Sequence, residues 1–126
     1  DGIWSMTATT LKQPANPEKR ADIKASDTDL VKMVSSREHK AQAAEQLQPQ
    51  KAQWPDVEST LKHFKAQRKK NIQYLKNSTD DFRNHVAQLS FGALDAYQLV
   101  LLLSAHTLRH TAQINELKAH PGFPKS

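Results

Sequence analysis

Apolar residues recur at helical spacing in two long stretches of the chain. Between Asp56 and about Asn77 they are separated mostly by steps of three and four residues, the period of an amphipathic helix, at Val57, Leu61, Phe64, Ile72 and Leu75. A second long helix is predicted from about Leu94 to Ala119, because Asp95 can cap its start and Pro121-Gly122 follows its end.

Two shorter helices are predicted upstream. The first runs from Asp1 to about Lys12 and ends at the two prolines of residues 13–17, which disfavour helical conformation in the residues before them. The second contains residues 30–34 and can be capped by Ser26 or Asp27.

The segments that connect these helices show no clear periodicity of apolar residues. Residues 41–55, rich in Gln, Ala and Lys, are predicted to form a loop in which Trp54 packs against the helices. Residues 78–92 are predicted to form an irregular link. Since the 126-residue chain has three glycines and few strand-like alternations, we expect an all-α fold in one domain, residues 1–126.

Composition and charge exclude several classes of function. The chain has no cysteine, which excludes disulfides and thiolate ligands. The five-residue apolar run 99–103 is far too short to span a bilayer, so no membrane partner is expected. The formal net charge is +5, but the densest basic patch, residues 62–70, has Phe64 on its apolar side and offers no exposed stacking platform. No nucleic-acid partner is expected either, and the compartment stays open.

Two histidines fall on the apolar face of the predicted last helix. At about 100° per residue, the residues within roughly 60° of His106 are Leu99, Leu103, His110, Gln113 and Leu117. His106 and His110 are therefore predicted to point into the bundle. A buried polar group without a partner costs about 1–3 kcal/mol, so both rings need partners.

Two kinds of partner are possible for this pair. Each ring can be neutral and hydrogen-bonded to a backbone carbonyl or a facing side chain. Alternatively, because Cβ atoms at i and i+4 lie roughly 6 Å apart, both rings can bind one divalent cation at about 2.0–2.1 Å. A zinc-peptidase site is not expected, because Thr107, Leu108 and Arg109 supply no glutamate as general base. Gln113, three residues after His110, is placed to hold a bound water or ligand.

A longer pattern in the C-terminal half carries a family resemblance. Residues 92–117 contain Leu94-Asp-Ala-Tyr97 and then His106-x-x-x-His110, followed by Gln113-Ile114. This segment resembles the last helix of the DinB-like metalloproteins. The similarity extends back over most of the chain, through Arg83-Asn-His85, the helix from Asp56, the link of residues 12–20 and Ile3-Trp4.

The resemblance implies a fold and a metal site. The family fold is an up-down four-helix bundle of DinB/YfiT-like type, in which three histidines bind a divalent metal. His106 and His110 match two of these ligands, and zinc or nickel is the metal expected. Gln113 and Arg109 are expected to support the ligands, with Arg109 pairing with a carboxylate of the bundle or of a substrate.

One feature of the family has no counterpart here. Its first histidine lies on a helix that would precede Ile3-Trp4, and the chain opens at Asp1 without an initiator Met. We therefore expect a C-terminal fragment of the domain, whose apolar stripes are covered by the missing N-terminal segment or by another copy in a homo-oligomer, or which is partly disordered. Either the third ligand is lost with the missing segment or another residue replaces it, and His85 is the nearest candidate. A fragment that binds no metal is the alternative, because two imidazoles alone make a weak site.

The resemblance also implies a chemistry. Three neutral histidines with open metal positions form a Lewis-acid site that can activate water or lower the pKa of a thiol. Metal-dependent transferases and hydrolases that act with small thiols are known in the family, and such an activity is our first hypothesis. The alternative is a non-catalytic helical interaction module without metal, in which both histidines are hydrogen-bonded core groups.

Overall fold

The structure, a computed structural model, describes residues 2–38 and 55–124. Its helices are α1 (Gly2–Leu11), α2 (Asp27–Ser35), α3 (Val57–Asn77) and α4 (Ala96–Ala119), with a 3₁₀ helix at Pro17–Asp22. Two short strands, β1 (Val86–Leu89) and β2 (Gly92–Asp95), precede α4. Helices make up most of the described residues, which confirms the predicted all-α class.

Three of the four helices begin at a side chain that caps them. Ser26 Oγ accepts a hydrogen bond from the backbone N–H of Asp29 at 3.1 Å, and α2 starts there. Asp56 Oδ1 accepts from the backbone N–H of Ser59 at 2.6 Å at the start of α3. Asp95 caps α4 in the same way. Each cap satisfies an N–H group that has no partner within the first helical turn, so the predicted helix starts are confirmed within one or two residues.

The segment predicted as an irregular link, residues 78–92, leads into a β-hairpin instead. Strands β1 and β2 pair antiparallel, in a register that places Val86 opposite Asp95. Gly92 has φ of +134° at the end of the turn, a conformation that glycine adopts without steric cost. The hairpin was missed because each strand has only four residues, too few for a clear alternating pattern.

The described residues fall into two compact units. The first comprises residues 2–38 and 80–124, and the second comprises residues 55–79. In the first unit α1 and α2 both pack against α4. The core cluster there is formed by Leu30, Leu94, Leu99 and Leu102, with Ile3, Met6 and Val34 packed against it.

Helix α2 runs alongside α4 in the same direction. Near the start of both helices, Gln98 Nε2 donates to the Ala25 carbonyl at 2.9 Å. Near the end of α2, the Arg109 guanidinium donates to the Ser36 carbonyl. These two contacts show that α2 covers one side of α4 from its first turn to beyond its middle.

Helix α3 is confirmed, but its apolar stripe is exposed. The predicted stripe residues range in exposure from 36% at Leu75 to 75% at Val57. Phe64 is 48% exposed, and the Arg68 guanidinium carbon lies 5.1 Å from its ring centroid. Among the described residues of this unit, 55–79, α3 is the only helix.

Three further predictions concern the chain as a whole. The loop predicted at residues 41–55, with Trp54, lies outside the described residues except for Pro55. Of the helices described here, none has the length and apolar character needed to cross a bilayer. One domain over residues 1–126 stays a prediction.

Candidate metal site

The histidine pair lies at the middle of α4. The helix starts at a capping box, in which Asp95 Oδ1 accepts from the Gln98 backbone N–H at 2.7 Å and Gln98 Oε1 accepts from the Asp95 backbone N–H at 3.4 Å. This box sets the first residue of the helix. Helical periodicity then places His106 and His110 one turn apart on the same face.

The two imidazole rings face each other. A hydrogen bond of 2.9 Å joins His106 Nε2 and His110 Nε2, and the ring centroids are 4.4 Å apart with planes at 81°. Gln113 Oε1 lies 3.0 Å from His110 Nδ1. Because an amide oxygen only accepts, a neutral His110 carries its hydrogen on Nδ1 and keeps a lone pair on Nε2. Gln113 therefore selects the tautomer of His110 that can bind a metal through Nε2.

The structure does not show the inward orientation predicted for the two rings. His106 and His110 are exposed, whereas Leu99 and Leu103 on the same stripe are 0% and 5% exposed. The segment after α1 is hydrogen-bonded to β1, beside the start of α4, so α1 runs back along α4 from that end. With about 1.5 Å per residue, α1 spans roughly 15 Å and α4 roughly 36 Å. Helix α1 therefore covers this stripe over only about the first ten residues of α4 and does not extend past His106.

The electrostatic surroundings favour the neutral form of His106. Partial desolvation lowers the pKa of His106, and the charges of His110 and Arg109 lower it further. A histidine must be neutral to bind a metal, so this shift prepares His106 for ligation near neutral pH. Arg109 itself donates to the Ser36 carbonyl. Its pairing with a carboxylate stays a prediction.

The two nitrogens fit the ligand geometry of a divalent metal. Two nitrogens bound to one zinc ion at about 2.0–2.1 Å stand roughly 3.3 Å apart in tetrahedral positions and roughly 2.9 Å apart at a right angle. The observed separation of 2.9 Å matches the second arrangement, and a small ring rotation gives the first. Imidazole is a ligand that suits both zinc and nickel.

A third ligand is not found within residues 2–38 and 55–124. No group of three or more His, Cys, Asp or Glu side chains in these ranges could hold a metal ion. The His85 carbonyl accepts from the Ala96 backbone N–H at 2.9 Å, which places His85 at the start of α4. Ten residues of helix, about 15 Å, separate Ala96 from His106. The prediction that His85 replaces the missing ligand is therefore wrong.

A charged cluster at the start of α4 was not found from the sequence. The Arg83 guanidinium contacts both carboxylate oxygens of Asp27, at 2.6 and 3.1 Å, and Asp95 Oδ2 at 3.1 Å. Arg20 Nη1 lies 3.5 Å from Asp95 Oδ2, and the Arg83 guanidinium carbon lies 3.9 Å from the Tyr97 ring centroid. The cluster thus joins the 3₁₀ helix, α2, the segment before β1 and α4.

The charge pairing in this cluster shifts the pKa values of Asp27 and Arg83. The hydrogen bond from Arg83 lowers the pKa of Asp27, and Asp27 in turn raises the pKa of Arg83. Asp95 is 1% exposed, so its charge is compensated inside the protein. From the sequence, Asp95 was predicted only as a helix cap. A cap involves residues that are neighbours in the chain, whereas the ion pairs of Asp95 join it to arginines in other segments.

Comparison with known protein families supports the resemblance seen in the sequence. A family model described as the DinB superfamily matches residues 6–114. No significant match was found among curated proteins or among solved structures. The matched segment includes His106, His110 and Gln113 and covers most of the 126 residues. The chain therefore belongs to the DinB superfamily.

Proposed function

We propose that the protein binds a divalent metal ion, zinc or nickel, through Nε2 of His106 and His110. The observation that carries this proposal is the 2.9 Å separation of the two Nε2 atoms on an exposed face. A metal ion bound there accepts the lone pairs of both rings, which requires the hydrogen that His106 Nε2 donates to His110 to move to His106 Nδ1. Gln113, by accepting from His110 Nδ1, already holds one ring in the required tautomer.

We infer that the metal serves a transferase or hydrolase reaction acting with a small thiol. A bound divalent metal supplies Lewis-acid chemistry, which lowers the pKa of a coordinated water or thiol. Membership of the DinB superfamily supports this inference. His106 and His110 would hold the metal, and the positive charge of Arg109 one residue before His110 would favour an anionic thiolate near the site.

Further donor atoms are required, because two imidazoles alone make a weak metal site. The described residues supply no third His, Cys, Asp or Glu at this place. We propose that the remaining donors come from a second copy of the chain or from a segment outside the described residues. The exposure of Ile114 (57%) and Leu117 (58%), close to the histidines on α4, supports an association at this face.

Metal binding by histidine variants tests the proposal. Zinc and nickel binding would be measured by calorimetric titration and elemental analysis for the wild type, His106→Ala, His110→Ala and the control His63→Ala on α3. We expect binding by the wild type and the control, and an affinity lower by more than about 100-fold in each α4 variant, since each loses a direct ligand. Equal binding by all four proteins, or none by the wild type, would contradict the proposal.

A non-catalytic helical interaction module is the second candidate. It is favoured by the exposed apolar residues Ile114 and Leu117 beside the histidine pair, which fit a contact surface. On this hypothesis the wild type binds no metal and the two histidine substitutions change stability only modestly. The same titration, followed by thermal unfolding of the variants, separates the two functions.

A further inference from the structure

A pocket opens between the end of α1, the segment that follows it and strand β1. Its volume is about 350 Å³, which lies within the usual size of small-molecule sites. All of its lining residues belong to the first unit. They include Thr9, Thr10, Gln13, Lys19, His85 and Ala87.

The frame of this pocket is held by backbone pairing. Asn16 Nδ2 donates to the Val86 carbonyl at 3.0 Å, and the Val86 backbone N–H donates to Asn16 Oδ1 at 2.7 Å. The Asn16 backbone N–H also donates to the Asn84 carbonyl at 2.8 Å. Asn16 therefore fastens the segment after α1 to β1, and the pocket is formed before any ligand arrives.

The polar groups of the pocket favour an anion. His85 Nδ1 is buried and finds no hydrogen-bond partner among the described residues. A buried ring nitrogen of this kind needs a partner, and a ligand in the pocket can provide one. Lys19 contributes a positive charge, and the lining residues include no Asp or Glu. Asp81 is near enough to His85 for their charges to interact, but it does not line the pocket.

We propose that this pocket binds a small organic molecule through a carboxylate group. The carboxylate lies between the Lys19 ammonium group and the Nδ1–H of His85, so that an ammonium group and a ring N–H donor both meet one negative charge. The Thr9 hydroxyl and the Gln13 amide are available to polar groups on the remainder of the molecule. A carboxylate matches this pair better than a doubly charged phosphate does, because only one lysine lines the pocket.

The pocket does not depend on the proposed metal. It lies at the start of α4, about 15 Å along the helix from His106, because the His85 carbonyl is bonded to the Ala96 backbone N–H. Binding can therefore be measured in protein treated with a chelator. If the protein bound no metal, the proposed carboxylate binding in the pocket would be unaffected.

Titration of the chelated 126-residue chain with butyrate, a monocarboxylate, tests the pocket. Amide shifts in nitrogen–proton NMR spectra would be followed, with butyramide as the uncharged analogue and inorganic phosphate as the competing anion. We expect saturable shifts at pocket amides such as those of Thr10 and Ala87 with butyrate, and none with butyramide. Lys19→Gln and His85→Gln should each weaken binding by about tenfold or more, since each removes one charge-assisted hydrogen bond.

Matched controls separate the pocket from the general positive charge. Lys118→Gln removes a lysine in the last turn of α4, and His63→Gln removes a histidine of α3; both variants should bind butyrate as the wild type does. Lys19 lies on the surface, so Lys19→Gln keeps the test intact if His85→Gln fails to fold. The proposal is overturned by the absence of saturable shifts, by equal binding of butyramide, by unchanged binding in Lys19→Gln, or by tighter binding of phosphate.

Discussion

At the level of single residues, Gln113 controls how His110 presents its lone pair. It contacts His110 Nδ1 from three positions further along α4, at 3.0 Å. Replacing Gln113 by Ala frees His110 to carry its hydrogen on either nitrogen. We therefore expect Gln113→Ala to lower zinc affinity by about tenfold, as loss of a group that orients a ligand usually does. Calorimetric titration measures this change.

The neighbouring substitution Asn115→Ala is the control for this effect. Asn115 is also exposed on α4. The Asn115→Ala variant is expected to bind zinc as the wild type does. Equal affinities for Gln113→Ala and the wild type would show that the contact between Gln113 and His110 has no part in metal binding.

A second prediction for a single residue concerns Asp27 and acid. The hydrogen bond from Arg83 lowers the pKa of Asp27 below its ordinary value of 3.8. The charged form therefore stabilises the folded protein above about pH 4, and this contribution is lost as the pH falls through the folded-state pKa. Asp27→Asn should be less stable than the wild type at neutral pH, and the difference should shrink as the pH falls below about 4.

Urea unfolding at a series of pH values measures this dependence. Some acid sensitivity will remain in Asp27→Asn, because the pKa values of Asp56 and Asp81 are lowered as well. A stability difference between the two proteins that is the same at pH 7 and pH 3 would contradict an ionic role for Asp27.

Among the elements, α4 depends on Asp95 both for its N-terminal cap and for its ion pairs with Arg83 and Arg20. Asp95 closes the capping box of α4 and also contacts Arg83 and Arg20 through Oδ2. Asp95→Ala removes the cap and leaves two guanidinium groups without this acceptor. We expect it to lower the free energy of unfolding by at least about 2 kcal/mol, measured by chemical denaturation.

The variant Asp95→Asn separates the two contributions. Asparagine caps helices about as well as aspartate, but it lacks the charge that pairs with the arginines. Its stability should fall between those of the wild type and Asp95→Ala. If Asp95→Asn were as stable as the wild type, the cap would account for the whole effect and the charged cluster would not anchor α4.

The prediction of elements from sequence succeeded where the signal was local. Helices α3 and α4 were found within two residues of their ends because caps and apolar periods lie inside each helix. Strands β1 and β2 were missed because their pairing joins residues across a turn, and four residues give little periodicity. The hairpin matters to the site, since β2 ends at Asp95 and passes directly into α4.

For the whole molecule, exposed apolar surface and net positive charge act in opposite directions on association. Ile114 and Leu117 are 57% and 58% exposed on α4, and the chain carries a formal net charge of +5. Apolar surface of this kind favours contact with another copy, while like charges oppose it and are screened by salt. We expect reversible self-association that increases with protein concentration and with added salt, measured by sedimentation velocity.

Substitutions on α4 test which face associates. Leu117→Lys should reduce self-association, because it places a charge within the apolar surface. Thr111→Lys adds the same charge at an exposed polar position and serves as the control. If the two variants associated equally, the face that bears the histidines would not be the contact surface.

Local patterns in the chain were enough to predict the four α-helices, the caps of α2, α3 and α4, and the placement of His106, His110 and Gln113 on one face of α4. These features depend on residues within about four positions of one another, and helical geometry relates such residues directly. The exposure of the histidines, the pairing of Arg83 with Asp27 and the pocket beside His85 were decided only by tertiary structure. Each of these features depends on which segments, distant in the chain, pack together and on how far along α4 they extend. A short stretch of sequence does not determine such packing.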